Sequence, residues 1–201
     1  VSFSEPLPTV EGDGVFLRAP QTADYAEWAA LREASRAFLT PWEPTWPADD
    51  LSRGAYRRRL RRYAEDLRTD SSYALLLFRK SDDMLLGGLT LANVRRGVAQ
   101  AGSLGYWIGE PYARRGLMGA AVRALVPFAF SALRLHRLEA ACIPSNSASI
   151  RLLENSGFAR EAAMVSAVPH PLKGSLRVIA NPLRIDGERP AQAACSPLGA
   201  D

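Results

Sequence analysis

Cysteine is scarce in this 201-residue chain: Cys142 and Cys195 are the two present, too few for the disulfide framework of a small secreted domain. Cys142 falls in the apolar run Leu138–Ile143 and reads as a small buried hydrophobe, so a reducing cytosol is the expected compartment. Histidine is equally sparse, with His136 and His170 alone, and no Cys/His/carboxylate spacing marks a metal site. Long apolar runs are missing too. No stretch approaches the roughly 20 apolar residues that cross a bilayer, and the acidic, proline-containing Val1–Asp13 lacks the basic segment and apolar core of an export signal. Neither membrane insertion nor export is expected. Charge of one sign does not dominate: 25 basic against 21 acidic residues give a net +4 and a pI near 9.4. That bias is too mild and dispersed to announce a nucleic-acid binder, though it suits an anionic cofactor. Neither common nucleotide loop occurs, for there is no Gly-x-x-x-x-Gly-Lys-Ser/Thr and no Gly-x-Gly-x-x-Gly after the first strand. Internal repeats are absent.

What is present is enough apolar content, 47%, to bury one substantial core. The expected division is a lead-in at 1–14, one domain over 15–183, and a tail at 184–201. In that tail large apolar residues give way to Pro, Ala and Gly, and disorder is expected. A strand is expected at Val15–Arg18, then a helix from Thr22 through Ala37 with Tyr25, Trp28 and Leu31 on one face. Phe38–Pro47 carries Trp42 and Trp46 among Pro41, Pro44 and Pro47. Helix is excluded there, and the tryptophans read equally as the wall of a site or as plain packing. A second helix is expected over Leu51–Arg68, where Tyr56, Leu60, Tyr63 and Leu67 form one apolar stripe. Arg53, Arg57, Arg58, Arg61 and Arg62 form its outer face, either solvated or a binding surface. Strand-like runs follow at Tyr73–Phe78, Leu85–Asn93 and Val98–Ile108, with breaks that suit an antiparallel meander. Then helix at Gly116–Leu133, kinked by Pro127, strand at Arg137–Ile143, helix at Asn146–Ser156 and strand from Phe158 alternate as in a mixed α/β sheet. A last short strand is expected at Ser175–Ala180.

The stretch Gly105–Ala120 reads as a strand, a turn and the opening of a long helix. A helix N-terminus exposes unpaired N–H groups and the positive end of the helix dipole. Backbone donors around Arg114–Gly119 can therefore hold a phosphate, with Gly116 and Gly119 allowing close approach and Arg114 and Arg115 adding charge. A tight strand-to-helix turn with no ligand is the competing reading. In Asn146–Phe158, Asn146 can cap the following helix and Gly157 can end it. Asn146 and Ser149 then stand at a helix start on the same side of the sheet as the phosphate turn.

Taken together these segments resemble the GNAT acetyltransferase superfamily, and within it the RimJ-type protein N-terminal acetyltransferases. The resemblance covers about Val15–Glu161. It is carried by Pro41–Pro44, Leu86–Gly88, Gly105–Ile108, Arg114–Met118, Leu135–Ala140 and the Asn-x-x-Ser and Gly-Phe of Asn146–Phe158. It implies an α/β fold in which antiparallel N-terminal strands precede a strand–helix–strand–helix unit, with a splay that binds the cofactor. It also implies acetyl-CoA as co-substrate, its pantetheine arm beside Tyr106, Trp107 and Ile108. The pyrophosphate would lie on Arg114, Arg115, Gly116, Leu117, Met118 and Gly119, near Asn146. Positions 113–118 read Ala-Arg-Arg-Gly-Leu-Met where the superfamily usually has Gln/Arg-x-x-Gly-x-Gly/Ala. The grip is by backbone N–H groups, so Ala113 alters the motif more than the chemistry.

The implied reaction is direct attack of a neutral amine on the thioester. The backbone N–H of Trp107 or Ile108 would serve as oxyanion donor, and Ser149 would protonate the departing thiolate. Glu110, just past the cofactor strand, could accept the amine proton, or it is a plain turn carboxylate. An α-amino group has a pKa of about 7.7–8.0 against about 10.4 for lysine. A site with one weak carboxylate candidate therefore suits a protein N-terminus, such as that of a ribosomal protein. A small-molecule amine acetyltransferase and a noncatalytic CoA-binding or ribosome-associated module are the alternatives. After Glu161 the chain departs from its apparent relatives, so a weakened closing hairpin and acceptor groove are expected there.

Overall fold

The computed structural model describes residues 7–160 and the backbone of 176–180. The lead-in is not featureless. Val10–Glu11 (β1) turns through Gly12–Gly14 onto Val15–Arg18 (β2), pairing Val10 with Leu17. A helical turn at Thr22–Asp24 opens Tyr25–Ala34 (α1), followed by Arg36–Leu39 (α2). The helix exclusion over Phe38–Pro47 therefore needs correction. Phe38 and Leu39 end α2, and Thr40–Trp42 forms one tight turn in which Pro41 takes a first-turn position that needs no N–H.

Arg53–Arg68 (α3) begins at Ser52, whose side chain accepts from Ala55 N–H. Tyr56 is buried and Leu60, Tyr63 and Leu67 are half-buried, while Arg53, Arg57, Arg58, Arg61 and Arg62 lie exposed on the outer face. Tyr73–Arg79 (β3), Leu85–Arg95 (β4) and Ala101–Ile108 (β5) form the antiparallel meander. The last of these starts three residues later than expected, with Val98 fully exposed in the preceding turn. Residues Tyr73–Phe78 are buried without alternation because both faces of β3 are covered. Tyr73, Leu75 and Leu77 join the larger core; Leu76 and Phe78 join Trp28, Leu31 and Tyr56 beneath α1 and α3.

Leu117–Ser131 (α4) runs through the exposed Pro127 and supplies Met118, Ala121, Val122, Leu125 and Ala129 to the larger core. Arg137–Cys142 (β6) follows, then Ser147–Glu154 (α5), Ala159–Arg160 (β7) and Leu176–Ala180 (β8). The strands make one mixed sheet of eight in the order β1-β2-β3-β4-β5-β6-β8-β7. The expected last strand thus runs antiparallel between β6 and β7, pairing Ala140 with Val178 and Ala159 with Ile179, which leaves β7 at the edge among the described strands. Residues 161–175 and the tail expected at 184–201 lie outside the described residues, as do His170 and Cys195. No described helix is long and apolar enough to cross a membrane.

One feature of this sheet positions the site. β5 and β6 are parallel and pair only over Ala101–Ser103 and Arg137–Glu139. Beyond that point Leu104–Ile108 stays on β4 while Ala140–Cys142 continues along β8. The sheet splits there into a wedge.

Candidate active site

Gly109 N–H donates to the Leu86 carbonyl at 2.8 Å. In an antiparallel pair the N–H groups alternate direction, so Trp107 N–H also faces β4 and Ile108 N–H faces the wedge. Of the two expected backbone donors, Ile108 is the one turned to the opened side. The side chains alternate as well: Tyr106 and Ile108 pack toward the α4 core, Trp107 toward α1 and α3.

Past Gly109 the chain is tied down. Glu110 N–H donates to Ser35 Oγ at 2.9 Å, and Ser35 is wholly buried. A helical turn at Glu110–Tyr112 leads to Arg114, at φ 61°, and Gly116, at φ 77°, both left-handed. Gly116 is the residue that tolerates this backbone without strain. The reversal leaves the first N–H groups of α4 facing the wedge without intrahelical acceptors. At Gly119 an added Cβ would lie 3.1 Å from Arg123 Nη1, so that guanidinium lies over the first turn of α4.

On the other side, Asn146 caps α5 by accepting from Ser149 N–H at 3.0 Å. Ile150 and Leu153 are buried against the sheet, which turns Ser149 into the wedge. Its Oγ lies 2.6 Å from the Tyr106 hydroxyl and 3.2 Å from Cys142 Sγ. Burial pushes the Tyr106 phenol above its ordinary range, against the lowering effect of its bond to Ser149. Burial likewise raises the Cys142 thiol. Both stay protonated near neutral pH.

A single cleft of about 730 Å³ joins these parts. It is lined by Tyr106, Trp107 and Ile108, by the turn Arg114, Arg115, Gly116, Leu117, Met118 and Gly119, and by Asn146 and Ser149. Glu110 stands apart: its side chain is exposed and is not in the cleft wall. His136 is exposed, away from the cleft lining. Among the described residues no cluster could hold a metal.

The sequence did not single out Arg123, Arg151, Phe38 or Glu43, which line the cleft, and Cys142, expected as a small buried hydrophobe, is buried and lines it as well. Glu43 sits within the Pro41–Pro44 segment. Both of its oxygens are held by Arg32, at 2.8 and 2.7 Å, and the Trp46 indole donates to it at 2.8 Å. The Arg32 guanidinium in turn lies 4.1 Å from the Trp46 ring and 4.9 Å from that of Trp107. The two tryptophan readings therefore divide: Trp42 lines the cleft, whereas Trp46 packs.

The opened strand pair thus carries the N-terminus of α4 on one lip and the Ser149 hydroxyl on the other, and the fold that builds it is that of an acyltransferase family. A profile of the acetyltransferase (GNAT) domain matches residues 15–159, and the chain belongs to this family of N-acetyltransferases. The Bacillus subtilis (strain 168) probable N-acetyltransferase YjcK is 33% identical over 152 residues, 76% of this chain and 84% of that protein. The Escherichia coli (strain K12) [ribosomal protein uS5]-alanine N-acetyltransferase is 30% identical over 149 residues, 74% and 77% of the two chains. Among solved structures, Mycobacterium smegmatis RimJ in complex with CoA-disulfide superposes with a TM-score of 0.80 at 26% identity, covering 91% of this chain and 88% of that one.

Proposed function

We propose that the chain transfers the acetyl group of acetyl-CoA to the α-amino group of a protein N-terminus. The observation that carries the reading is the continuous cleft from the Arg114–Gly119 turn along the open edge of β5 to Ser149 Oγ. Its lining combines Arg114, Arg115, Arg123 and Arg151, suited to the anionic half of the cofactor, with the apolar Phe38, Leu39, Trp42 and Tyr112. The pyrophosphate lies on the backbone donors of the turn, and the pantetheine arm runs along Leu104–Ile108 as an added strand would.

The amine attacks the thioester carbonyl as the neutral species. The N–C bond forms, Ile108 N–H supports the oxyanion, and the C–S bond breaks with the electron pair leaving on sulfur. Ser149 donates to that sulfur, and the proton that the amine nitrogen sheds as the amide forms passes through water in the cleft to replace the one Ser149 gives, so that CoA leaves as the thiol. The acceptor class is supported by the likeness to the uS5-alanine enzyme and by Glu43, the carboxylate among the described cleft-lining residues, being held through both oxygens by Arg32. The test is acetyl-CoA turnover against N-terminal peptides, lysine peptides and small amines. Preference for peptides with a free α-amine is expected; turnover confined to small amines would replace this reading.

A further inference from the structure

Tyr106 and Ser149 come from elements 43 residues apart yet make the shortest polar contact in the cleft, 2.6 Å between hydroxyls. The next acceptor near the phenol is the Ser149 carbonyl at 3.4 Å, the outer limit of a hydrogen bond. Either hydroxyl could donate across this contact; the phenol has one proton, and Ser149 Oγ is the nearer of its two acceptors. A serine hydroxyl also has one proton, and with the phenol occupying a lone pair, that proton is directed to the remaining neighbour. In the free protein this neighbour is a sulfur, Cys142 Sγ at 3.2 Å. Without the phenol, a serine in a helix can return its proton to a carbonyl of its own preceding turn.

We propose that Tyr106 is a positioning residue: by donating to Ser149 Oγ, it holds the serine hydroxyl as a donor aimed at the sulfur that leaves from CoA. This rests on the reading of Ser149 given above. Tyr106 itself neither gains nor loses a proton. The bond into Ser149 Oγ polarises the serine O–H, and the serine bond strengthens as the sulfur becomes a thiolate. The contribution is therefore made in the transition state and not in cofactor binding.

The experiment is a double-mutant cycle of Y106F, S149A and the pair, reading kcat and KM with a peptide substrate, CoA affinity by calorimetry, and the thermal midpoint. Y106F should lower kcat roughly 5- to 30-fold, the worth of one hydrogen bond, with CoA affinity within about twofold. In the S149A background, Y106F should cost nothing further. If Y106F melts early, the same kcat comparison is made below both midpoints. Wild-type kcat in Y106F, or an independent loss of equal size in the S149A background, would overturn the proposal. Undiminished turnover in S149A would instead overturn the serine reading itself, and the Tyr106 role with it.

Discussion

Gly87 of β4 lies against the backbone of Trp107 so closely that a Cβ there would stand 2.3 Å from the Trp107 carbonyl oxygen and 2.9 Å from Ile108 Cα. At Gly88 a Cβ would meet Trp107 Nε1 at 2.7 Å. The Leu86–Gly88 run thus lets β5 press onto β4 where it parts from β6, and lets the Trp107 indole lie across the strand.

Gly87→Ala should therefore displace β5 and with it the open edge proposed to hold the cofactor. The expected loss is about 1–3 kcal/mol of stability, as for other overpacked sites, with weaker acetyl-CoA binding. Denaturant midpoints and calorimetry check both. Gly105→Ala, where a Cβ meets nothing within 4 Å, should keep its midpoint.

Gly119→Glu should abolish most acetyl-CoA binding while the protein stays folded. The new carboxylate would enter the first turn of α4 beside Arg123 Nη1, placing a negative charge where the pyrophosphate is expected and masking a guanidinium. Such a change at a helix N-terminus favours the helix itself. The expected result is a loss of at least ~30-fold in affinity, about 2 kcal/mol, with an unchanged or higher thermal midpoint. Unchanged affinity would remove the turn from the binding site.

The periodic elements were legible because burial wrote them into the sequence. The stripe Tyr56, Leu60, Tyr63 and Leu67 gives α3, and the apolar run Tyr73–Phe78 gives a strand covered on both faces. Asn146 and Gly157 mark the ends of α5 by capping chemistry. What was not legible depends on contacts between distant segments. Nothing local ties Tyr106 to Ser149, or Arg32 to Glu43 and Trp107. Glu110 shows the reach of a local reading: adjacency to the strand suggests a base, while the fold adds that its N–H is held by Ser35 Oγ and that its exposed side chain is not among the residues lining the cleft. Val98 opens the strand-like run Val98–Ile108 in the sequence, but no neighbour in the fold covers it and β5 starts at Ala101.

Asp70 supplies a pH dependence of stability. Burial acts to raise its carboxyl, but hydrogen bonds from Arg96 and Tyr73 and the Arg96 charge outweigh burial and leave it below the usual range. As pH falls below the ordinary aspartate value of about 3.9, the unfolded chain takes up this proton before the folded one does. The contribution is thus present above that value and lost as pH drops through the depressed native one. Asp70→Asn should lower the unfolding free energy at pH 7, and the gap to wild type should narrow toward pH 3. A gap that is constant with pH would show that the ionised carboxylate is not the stabilising species.

The Arg32–Glu43 pair offers a test confined to the acceptor end. Arg32 is buried at 7% exposure, and it is held by two charge-assisted bonds to Glu43 and by the rings of Trp46 and Trp107. This clamp joins α1, the Trp42–Trp46 segment and the cofactor strand, yet none of its members belongs to the phosphate turn. Glu43→Gln keeps the shape and one acceptor oxygen but leaves the guanidinium without a countercharge. Removing one partner of a buried pair costs about 3–5 kcal/mol when burial is complete; here Glu43 is 21% exposed, so a smaller loss is expected. Loosening the segment moves Trp42 and Phe38, which line the cleft but are not part of the Arg114–Gly119 turn. KM for the peptide should therefore rise several-fold while the affinity for CoA stays within about twofold, because uniform binding of one substrate is what has been removed. Equal weakening of peptide and CoA would place the clamp's effect on the whole sheet and not on the acceptor end. Arg32→Leu should show the same division of effects, and because it leaves the Glu43 carboxylate, at 21% exposure, without the guanidinium that holds both its oxygens, it should be destabilising as well.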